Sequence, residues 1–464
     1  MKIVFCSAEV APFSVAGGLG DVLGNLPRAV ENLGYECTVI TPLYGLIDKD
    51  AHQLTETHLM LDVQFYGKSY PVKIWQGVLP ESNVPVTFVD NEELFGCRQE
   101  VYPYGKPEWE MEGFLVFSQA VFELLRRVHY RPDILHIHDW HTASVSTTLS
   151  EIRAFDQYFS RTSSVLTIHN LHYQGVYEDI NWLREGILKT DAITTVSPTY
   201  AKEIQMPEFG AGMDDVIRQC SQKVSGILNG FDTTAHNPET VSALACNYGV
   251  DSAETGKARC KSQLQASMGL PVEANTALVS FVGKTIAQKG LDILIPAIKH
   301  FLAAGSPVQF VLLGSGEPLI EAALSQLSHT ADNVTYVANY NDVLAENVYA
   351  ASDIYIMPSA FEPCGLGQML ALRYGAVPIV RGVGGLVDTV VDVRSQPHQG
   401  TGFKFSDYTE EKMIETLAEA LQLFENKATW ASLVRRAMKE DNSWDACAKN
   451  YVRLYSQLSG NTFG

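Results

Sequence analysis

Short runs of apolar residues recur along the chain, and polar or helical sequence separates each run from the next. They form two sets, one at 2–6, 84–90, 134–139, 164–170 and 192–197, and one at 277–283, 308–314, 334–337, 354–358 and 377–382. Continuous apolar strands that alternate with helical segments are typical of parallel sheets covered by helices on both faces. The pattern therefore predicts an α/β protein with two such sheets.

The segment between the two sets indicates a domain boundary. Residues 229–273 are polar and alanine-rich and contain the turn-forming pairs Asn-Gly and Asn-Pro. We expect one domain over 1–238 and a second over 239–443. Apolar residues at helical spacing in the closing segment, 444–464, predict an amphipathic helix.

Composition narrows the possible classes of function. The chain has 464 residues, 46% of them hydrophobic, and a formal net charge of −19. This charge disfavours a nucleic-acid partner, because phosphate backbones need a basic surface. Eight scattered cysteines without a CxxC pair indicate free thiols in a reducing compartment. No stretch has the length of a membrane span or the form of a signal peptide, so we expect no membrane association.

A glycine-rich segment follows the first apolar run. Gly17, Gly18 and Gly20 come directly before Asp21, where a helical pattern begins, and Glu9 follows the run itself. A strand, a glycine turn and a helix start place backbone N–H groups where they can hold a phosphate. A glycine turn after a strand is also a common structural device, and this segment alone does not decide between the two.

The sequence His-Ile-His-Asp-Trp-His at 136–141 ends another apolar run. Alternation along a strand places His136 and His138 on one face, and a core position explains His136 best. We do not expect a metal site here, because no third ligand lies at a suitable local spacing. Asp139 and His141 suit a polar cleft at the strand exit, and Trp140 offers an apolar platform for a sugar.

Polar groups follow the next run as well. His169 and Asn170 end it, and Gln174 and Gly175 come shortly afterwards. The carboxyl ends of neighbouring parallel strands meet at one edge of a sheet, so these groups are expected to flank the same cleft as Asp139. This convergence favours a functional His169 over a structural one.

Polar residues also follow the apolar runs of the second set. Lys284 and Lys289 follow the first run, and their position in an acidic chain favours a role as phosphate ligands. Glu362 follows a later run, beside Gly365 and Leu366. A carboxylate there suits sugar hydroxyls, and the backbone of a helix start suits a phosphate. The segment 381–386 fits either a turn or a contact loop.

Taken together, these segments resemble those of the bacterial glycogen synthases and plant starch synthases, the retaining glycosyltransferases of family five. The resemblance extends along the whole chain, through 7–9, 17–22, 138–141, 169–175, 194–201, 228–230, 288–290, 361–366 and 443–444. It implies the GT-B fold, with two Rossmann-like domains, an active-site cleft between them and a C-terminal helix that crosses back to the first domain.

The resemblance also implies a reaction. Glucose passes from ADP-glucose to the 4-hydroxyl at the non-reducing end of an α-1,4-glucan, with retention of configuration. The expected partners are a nucleotide sugar and an α-glucan, and no metal or other cofactor is expected. The expected compartment is the cytoplasm, or the plastid stroma of a plant or alga.

The same resemblance assigns residues to roles. His169, Lys289, Glu362 and Asp139 are expected to be catalytic, with the His169 backbone carbonyl beside the developing positive charge. The expected donor-binding residues are Gly17, Gly18, Asp21, Asn170, Asn229, Lys284, Lys289, Glu362, Cys364, Gly365 and Leu366. The expected acceptor-binding residues are Glu9, Asp139, Trp140 and His141.

Three positions depart from the family pattern. Val15 stands where a lysine is usual, Lys284 where an arginine is common, and Ala360 where an arginine precedes Phe-Glu-Pro-Cys. Loss of a charge-assisted contact costs about 1.5–3 kcal/mol, or about 10–100-fold in rate or binding. Two alternatives therefore stay open: a glucan-binding or initiation partner with weak activity, and a related GT-B enzyme with another donor such as UDP-glucose.

Overall fold

Two β-sheets organise the chain, and each belongs to a separate unit of the computed structural model, which describes residues 1–102 and 107–460. Unit 1 comprises Met1–Gly230 and Trp444–Gly464, and unit 2 comprises Phe231–Ser443. The last four residues of the predicted segment 444–464 lie outside the described residues.

The sheet of unit 1 has nine strands within the described residues, in the order β11-β10-β7-β6-β1-β2-β5-β4-β3. Their bounds are β1 Lys2–Cys6, β2 Glu36–Pro42, β3 Thr55–Phe65, β4 Lys68–Val78, β5 Pro85–Asp90, β6 Ile134–His138, β7 Ser163–Ile168, β10 Ala192–Thr195 and β11 Val224–Gly226. A separate small hairpin consists of β8 Val176–Tyr177 and β9 Ile180–Asn181.

The predicted runs of unit 1 form parallel strands, and an antiparallel edge that was not predicted extends their sheet. Strands β3 and β4 pair in antiparallel fashion, and β4 pairs antiparallel with β5. Buried and exposed positions alternate along β3 and β4, because this edge of the sheet is covered on one face only. The other pairings in this sheet are parallel.

Helices lie between the strands of unit 1. Their bounds are α1 Gly18–Asn32, α2 Pro107–Arg127, α3 Asp139–Ile152, α4 Trp182–Lys189, α5 Pro198–Glu203 and α6 Asp214–Gln219.

Unit 2 contains an all-parallel sheet of six strands among the described residues, in the order β14-β13-β12-β15-β16-β17. The strands are β12 Ala277–Val282, β13 Val308–Leu313, β14 Val334–Val337, β15 Ile354–Met357, β16 Val377–Arg381 and β17 Phe403–Phe405. Numbered within the unit, this is the doubly wound order 3-2-1-4-5-6.

The helices of unit 2 are α7 Ala253–Ser267, α8 Leu291–Ala303, α9 Pro318–Thr330, α10 Asp342–Ala351, α11 Gly367–Arg373, α12 Gly384–Thr389, α13 Glu410–Glu425 and α14 Lys427–Ala437. The final helix, α15 Trp444–Ser459, belongs to unit 1. Within the described residues, no helix is both long and apolar enough to cross a membrane.

Candidate functional site

In each unit, the parallel part of the sheet has a point, among the described residues, where the strand order reverses. In unit 1 it lies between β1 and β6, and in unit 2 between β12 and β15. Ligands of doubly wound sheets bind outside the carboxyl ends of the strands at such a point. The segments that follow these four strands carry most of the residues expected to be functional.

Glu9 anchors the glycine segment after β1. Its side chain is buried, and one carboxylate oxygen accepts hydrogen bonds from the backbone N–H groups of Ala16 (2.7 Å) and Gly17 (2.8 Å). The Tyr102 hydroxyl donates to the other oxygen over 2.5 Å. Glu9 therefore shapes this segment; its expected contact with the acceptor stays a prediction.

Gly17 and Gly18 are exposed at the start of α1. Neither has a positive φ, and a Cβ atom added at either position would meet no atom within 4 Å. The fold therefore does not require glycine here, but a ligand that approaches the backbone closely would. The N–H group of Gly18 has no acceptor within the described residues, and Asp21 lies in the first turn as expected.

Asp139 directs the chain at the exit of β6. Its φ of 56° lies in the left-handed region, which is uncommon outside glycine. The buried carboxylate accepts a hydrogen bond from the His169 backbone N–H (2.7 Å) and another from that of Asn170. Burial raises the pKa of Asp139 to about 7, although the two N–H donors oppose the shift. Asp139 thus holds the loop that carries His169.

His169 and His141 are both neutral at physiological pH. Burial lowers the pKa of each imidazole to about 3. The Nε2 atom of His169 lies 3.0 Å from Nδ1 of His138. A neutral His169 can offer a hydrogen bond to a sugar hydroxyl without adding a positive charge to the site.

Trp140 is packed within the protein. Gly175, with a φ of 62°, lies so close to the indole that a Cβ atom at 175 would overlap the ring. The ring also packs against His141, with centroids 4.2 Å apart, and edge-on against Phe114 at 5.4 Å. The expected role of Trp140 and His141 in acceptor binding remains a prediction.

Two asparagines complete the expected residues of unit 1. The Asn170 side chain accepts a hydrogen bond from the His172 backbone N–H (3.0 Å), which fixes a turn after β7. The Oδ1 atom of Asn229 is buried and has no hydrogen-bond partner in the described part of the chain. An orphaned polar atom of this kind is consistent with a ligand contact.

A partly buried ion pair lies at the switch point of unit 2. Lys289 Nζ is 2.6 Å from Glu362 Oε2, and the Ser359 hydroxyl donates to the same oxygen over 3.0 Å. Lys284 is exposed and forms no ion pair among residues 1–102 and 107–460. Ser359 was not predicted from the sequence, although it stands only three positions before Glu362.

The backbone after Glu362 forms a tight turn. Gly365 has a φ of 78°, Cys364 is buried, and α11 begins two residues later. The N–H groups of Gly365 and Leu366 have no acceptor within the ranges that the structure describes. They are therefore free to bind an anion.

The loop 381–386, left open from the sequence, supports this turn. The Gly385 N–H donates to the carbonyl of Glu362 over 3.1 Å, and a side chain at Gly384 or Gly385 would overlap the backbone of residues 362–364. The Arg381 guanidinium donates to the Ala360 carbonyl. The loop thus packs directly against the backbone of the expected donor site.

Metal ligands are not grouped in the described residues. No set of three or more histidine, cysteine, aspartate or glutamate side chains there has an arrangement that could hold a metal ion. His136 lies in the core as expected, and its two ring nitrogens face Thr167 Oγ1 (2.6 Å) and Tyr455 Oη (2.7 Å).

Comparison with known proteins identifies the family. A family model for the starch synthase catalytic domain matches residues 2–219, and one for glycosyl transferases group 1 matches residues 276–423. The glycogen synthase of Anaeromyxobacter sp. (strain Fw109-5) is 38% identical over 99% of this chain and 100% of its own. That of Streptococcus sanguinis (strain SK36) is 39% identical over the same shares.

Solved structures agree with this result. The catalytic domain of starch synthase IV from Arabidopsis thaliana, solved bound to ADP and acarbose, is 32% identical over 99% of both chains, with a TM-score of 0.88. The sucrose-phosphate synthase of Thermosynechococcus elongatus is 18% identical over 99% of both chains, with a TM-score of 0.62, and shares the fold. The chain belongs to the glycogen and starch synthase family and is a glycosyltransferase with the GT-B fold.

Proposed function

We propose that the protein transfers glucose from ADP-glucose to the 4-hydroxyl at the non-reducing end of an α-1,4-glucan, with retention of configuration. The bond from the anomeric carbon to the diphosphate oxygen breaks, a bond from that carbon to the acceptor oxygen forms, and the proton of the acceptor hydroxyl passes to the leaving diphosphate. The observation that carries the proposal is the Lys289–Glu362 pair beside the free N–H groups of Gly365 and Leu366. The related starch synthase IV, solved with ADP, supports ADP as the nucleotide.

The leaving diphosphate needs positive charge and hydrogen-bond donors. We assign these to Lys284 and Lys289 and to the backbone N–H groups of Gly365 and Leu366. Preorganised donors stabilise developing charge without having to reorient during the reaction. Glu362 orients the Lys289 ammonium over 2.6 Å and has a second oxygen for sugar hydroxyls.

The reacting glucose is assigned to the loop after β7. The neutral ring of His169 donates to a hydroxyl, and its backbone carbonyl faces the anomeric carbon as positive charge develops there. Asp139 holds that backbone through the hydrogen bond from the His169 N–H. We assign Gly17, Gly18, Asp21, Asn170, Asn229 and Cys364 to the surroundings of the donor, and Glu9, Trp140 and His141 to those of the glucan.

The direct test is incubation of the purified protein with ADP-glucose and glycogen. We expect release of ADP and incorporation of labelled glucose that β-amylase removes as maltose, because that enzyme acts on α-1,4-linked chain ends. UDP-glucose in parallel reactions should react more slowly. Absence of ADP release, with a known synthase active in the same assay, would overturn the proposal.

Two variants tie the activity to this site. Glu362→Ala should lower turnover by at least about 100-fold, a loss of about 2.7 kcal/mol of transition-state stabilisation. Glu425→Ala, at the exposed end of α13, is the matched control and should leave turnover unchanged. Near-normal turnover of Glu362→Ala would remove this residue from the mechanism.

The bacterial origin of the relatives favours the cytoplasm over the plastid stroma as the compartment.

One alternative function rests on Val15, which is 52% exposed beside the glycine segment. Without the lysine of the family pattern at this position, the protein would be a glucan-binding protein with weak transferase activity. Glycogen binding without ADP binding in calorimetry would favour that alternative.

A further inference from the structure

His138 is a buried polar residue that the proposed reaction does not use. It ends β6, and its side chain is fully buried. Its ring packs against His136, with centroids 4.2 Å apart, and stacks on Phe5 at 6.4 Å. Burial lowers the pKa of His138 well below its usual range, so the ring is neutral.

One ring nitrogen of His138 has a partner and the other has none. Nδ1 lies 3.0 Å from Nε2 of His169. Nε2 of His138 is buried and has no hydrogen-bond partner in the described part of the chain. A neutral imidazole carries one proton, so the bond between the two rings has two possible directions.

The environment of His138 selects one direction. If His169 donated, the single proton of His138 would lie on Nε2, as a buried N–H without an acceptor. If His138 donates from Nδ1, only a lone pair remains at Nε2. Orphaned buried N–H groups are the rarer defect in native proteins. The second arrangement is therefore favoured, and it makes Nε2 of His169 an acceptor.

The consequence falls on the reactive side of His169. With Nε2 accepting, its proton must lie on Nδ1. His169 is only partly buried, and within the described residues its ring forms a hydrogen bond through Nε2 and none through Nδ1. That atom is therefore available to donate to a ligand.

We propose that His138 is a positioning residue that holds His169 in the neutral tautomer with the proton on Nδ1, so that His169 offers a donor to the transferred glucosyl group. Two consecutive residues then act on His169, since Asp139 holds its backbone and His138 holds its ring. The role in catalysis rests on the proposed function, whereas the tautomer is a property of the free protein.

The tautomer is tested first, without substrates. In 15N spectra of the histidine-labelled protein, the His169→Ala variant identifies the His169 signals among those of the twelve histidines. We expect Nδ1 of His169 in the protonated range and Nε2 in the unprotonated range. The reverse pattern, or rapid exchange between the two tautomers, would overturn the proposal even if the enzyme is fully active.

Kinetics then test the consequence for turnover. His138→Phe keeps an aromatic ring but removes the donor, and kcat should fall by about 10- to 100-fold with little change in the KM for glycogen. His138→Asn places an amide nitrogen near the Nδ1 position and should recover most of the loss. His136→Phe is the matched control on the same face of β6, and it should leave the His169 tautomer unchanged.

A double variant separates positioning from general support of the fold. If His138 acts through His169, His138→Phe should lower turnover no further in a His169→Ala background. An equal additional loss there would overturn the proposal. If no variant or wild-type protein shows transfer, the proposed function fails, and the 15N measurement still decides the tautomer.

Discussion

Burial changes the pKa values of two neighbouring residues of the candidate site. Asp139 and His169 directly follow two neighbouring strands, β6 and β7, and are joined by one hydrogen bond of 2.7 Å. Burial raises the pKa of the carboxyl to about 7 and lowers that of the imidazole to about 3. Both shifts favour the neutral form, because a charge is costly in an environment of low dielectric constant.

The raised pKa of Asp139 predicts a pH dependence. Its ionised carboxylate accepts the N–H groups of His169 and Asn170, so protonation should weaken that hold. We expect kcat/KM of the wild type to fall as the pH decreases below about 7. The Asp139→Asn variant should have a lower kcat/KM that does not change with pH in this range. Initial rates from pH 5.5 to 8.5 would measure this.

Stability should change in the opposite direction. The folded pKa of about 7 lies above the ordinary value of 3.8, so the folded state binds more protons between these values. The free energy of unfolding of the wild type, relative to Asp139→Asn, should rise as pH falls through this window, by at most about 1.4 kcal/mol per pH unit. If the free energy of unfolding of Asp139→Asn changed with pH in the same way as that of the wild type, the raised pKa of Asp139 would not be the cause.

Val15 predicts a gain of activity. It is 52% exposed and lies two residues before the glycines at the start of α1, at the position where the family pattern described above has a lysine. Val15→Lys should add a charge-assisted contact to the donor phosphates and raise kcat/KM for ADP-glucose about tenfold. Val78→Lys, with an equally exposed valine in β4, is the control and should have no effect. An equal rise in kcat/KM in both variants would mean that the added positive charge acts through the net charge of the protein and not through a contact at position 15.

At the scale of elements, the sequence predicted the strands that consist of continuous apolar runs. All six residues of β12 and of β13 are buried, so their composition alone identifies them. Each of the ten predicted runs contains a strand, and most strands end one or two residues earlier than predicted. The polar residues at these exits belong to the loops of the candidate site.

Elements whose stability depends on distant partners could not be predicted from the sequence. Strand β3 alternates polar and apolar residues, and its pairing with β4 is set by the sheet edge. Helix α7 is another case, because three of its buried side chains are Lys257, Lys261 and Gln265. Without an apolar stripe, it resembles a polar linker in sequence.

Lys257 predicts a specific loss of stability. Its ammonium donates to the carbonyl of Ala350 (3.0 Å), near the end of α10, and to that of Tyr374 (2.9 Å), just after α11. Lys257→Met keeps most of the apolar volume but leaves these carbonyls with fewer donors, at a cost of about 1–3 kcal/mol in the free energy of unfolding. Denaturant titration at pH 7 would measure it.

The control is Lys299→Met, the same change on the exposed face of α8, which should be nearly neutral. Burial lowers the pKa of Lys257 to about 8, from 10.5. The unfolded state therefore binds more protons between these values, and wild-type stability relative to Lys257→Met should rise with pH above about 8. If the difference in free energy of unfolding between the wild type and Lys257→Met stayed constant from pH 7 to 10, the pKa of Lys257 would not be lowered by burial.

At the scale of the whole molecule, unit 1 is built from both ends of the chain. Helix α15 follows unit 2 in sequence but belongs to unit 1, where it packs against α1. The sequence predicted the amphipathic helix and, through the family resemblance, its return. It did not predict the residues that it meets, because Tyr455 and His136 are 319 positions apart.

The hydrogen bond between these two residues predicts how α15 stabilises unit 1. Tyr455→Phe leaves Nδ1 of the buried His136 without its partner at 2.7 Å, which costs about 1–3 kcal/mol. The free energy of unfolding should fall by that amount, and amide exchange should accelerate in β6 and α15. Protection of β12 and β13 should be unchanged, because the lost bond lies within unit 1.

Tyr173→Phe provides the control, because that hydroxyl belongs to an exposed side chain and its loss should be nearly neutral. The comparison also separates two views of the histidines in β6. If His136 supports only the fold, Tyr455→Phe should lower stability and leave kcat unchanged. A fall in kcat of tenfold or more in the folded variant would mean that the C-terminal helix reaches the reaction through β6, and the division of roles between His136 and His138 would be wrong.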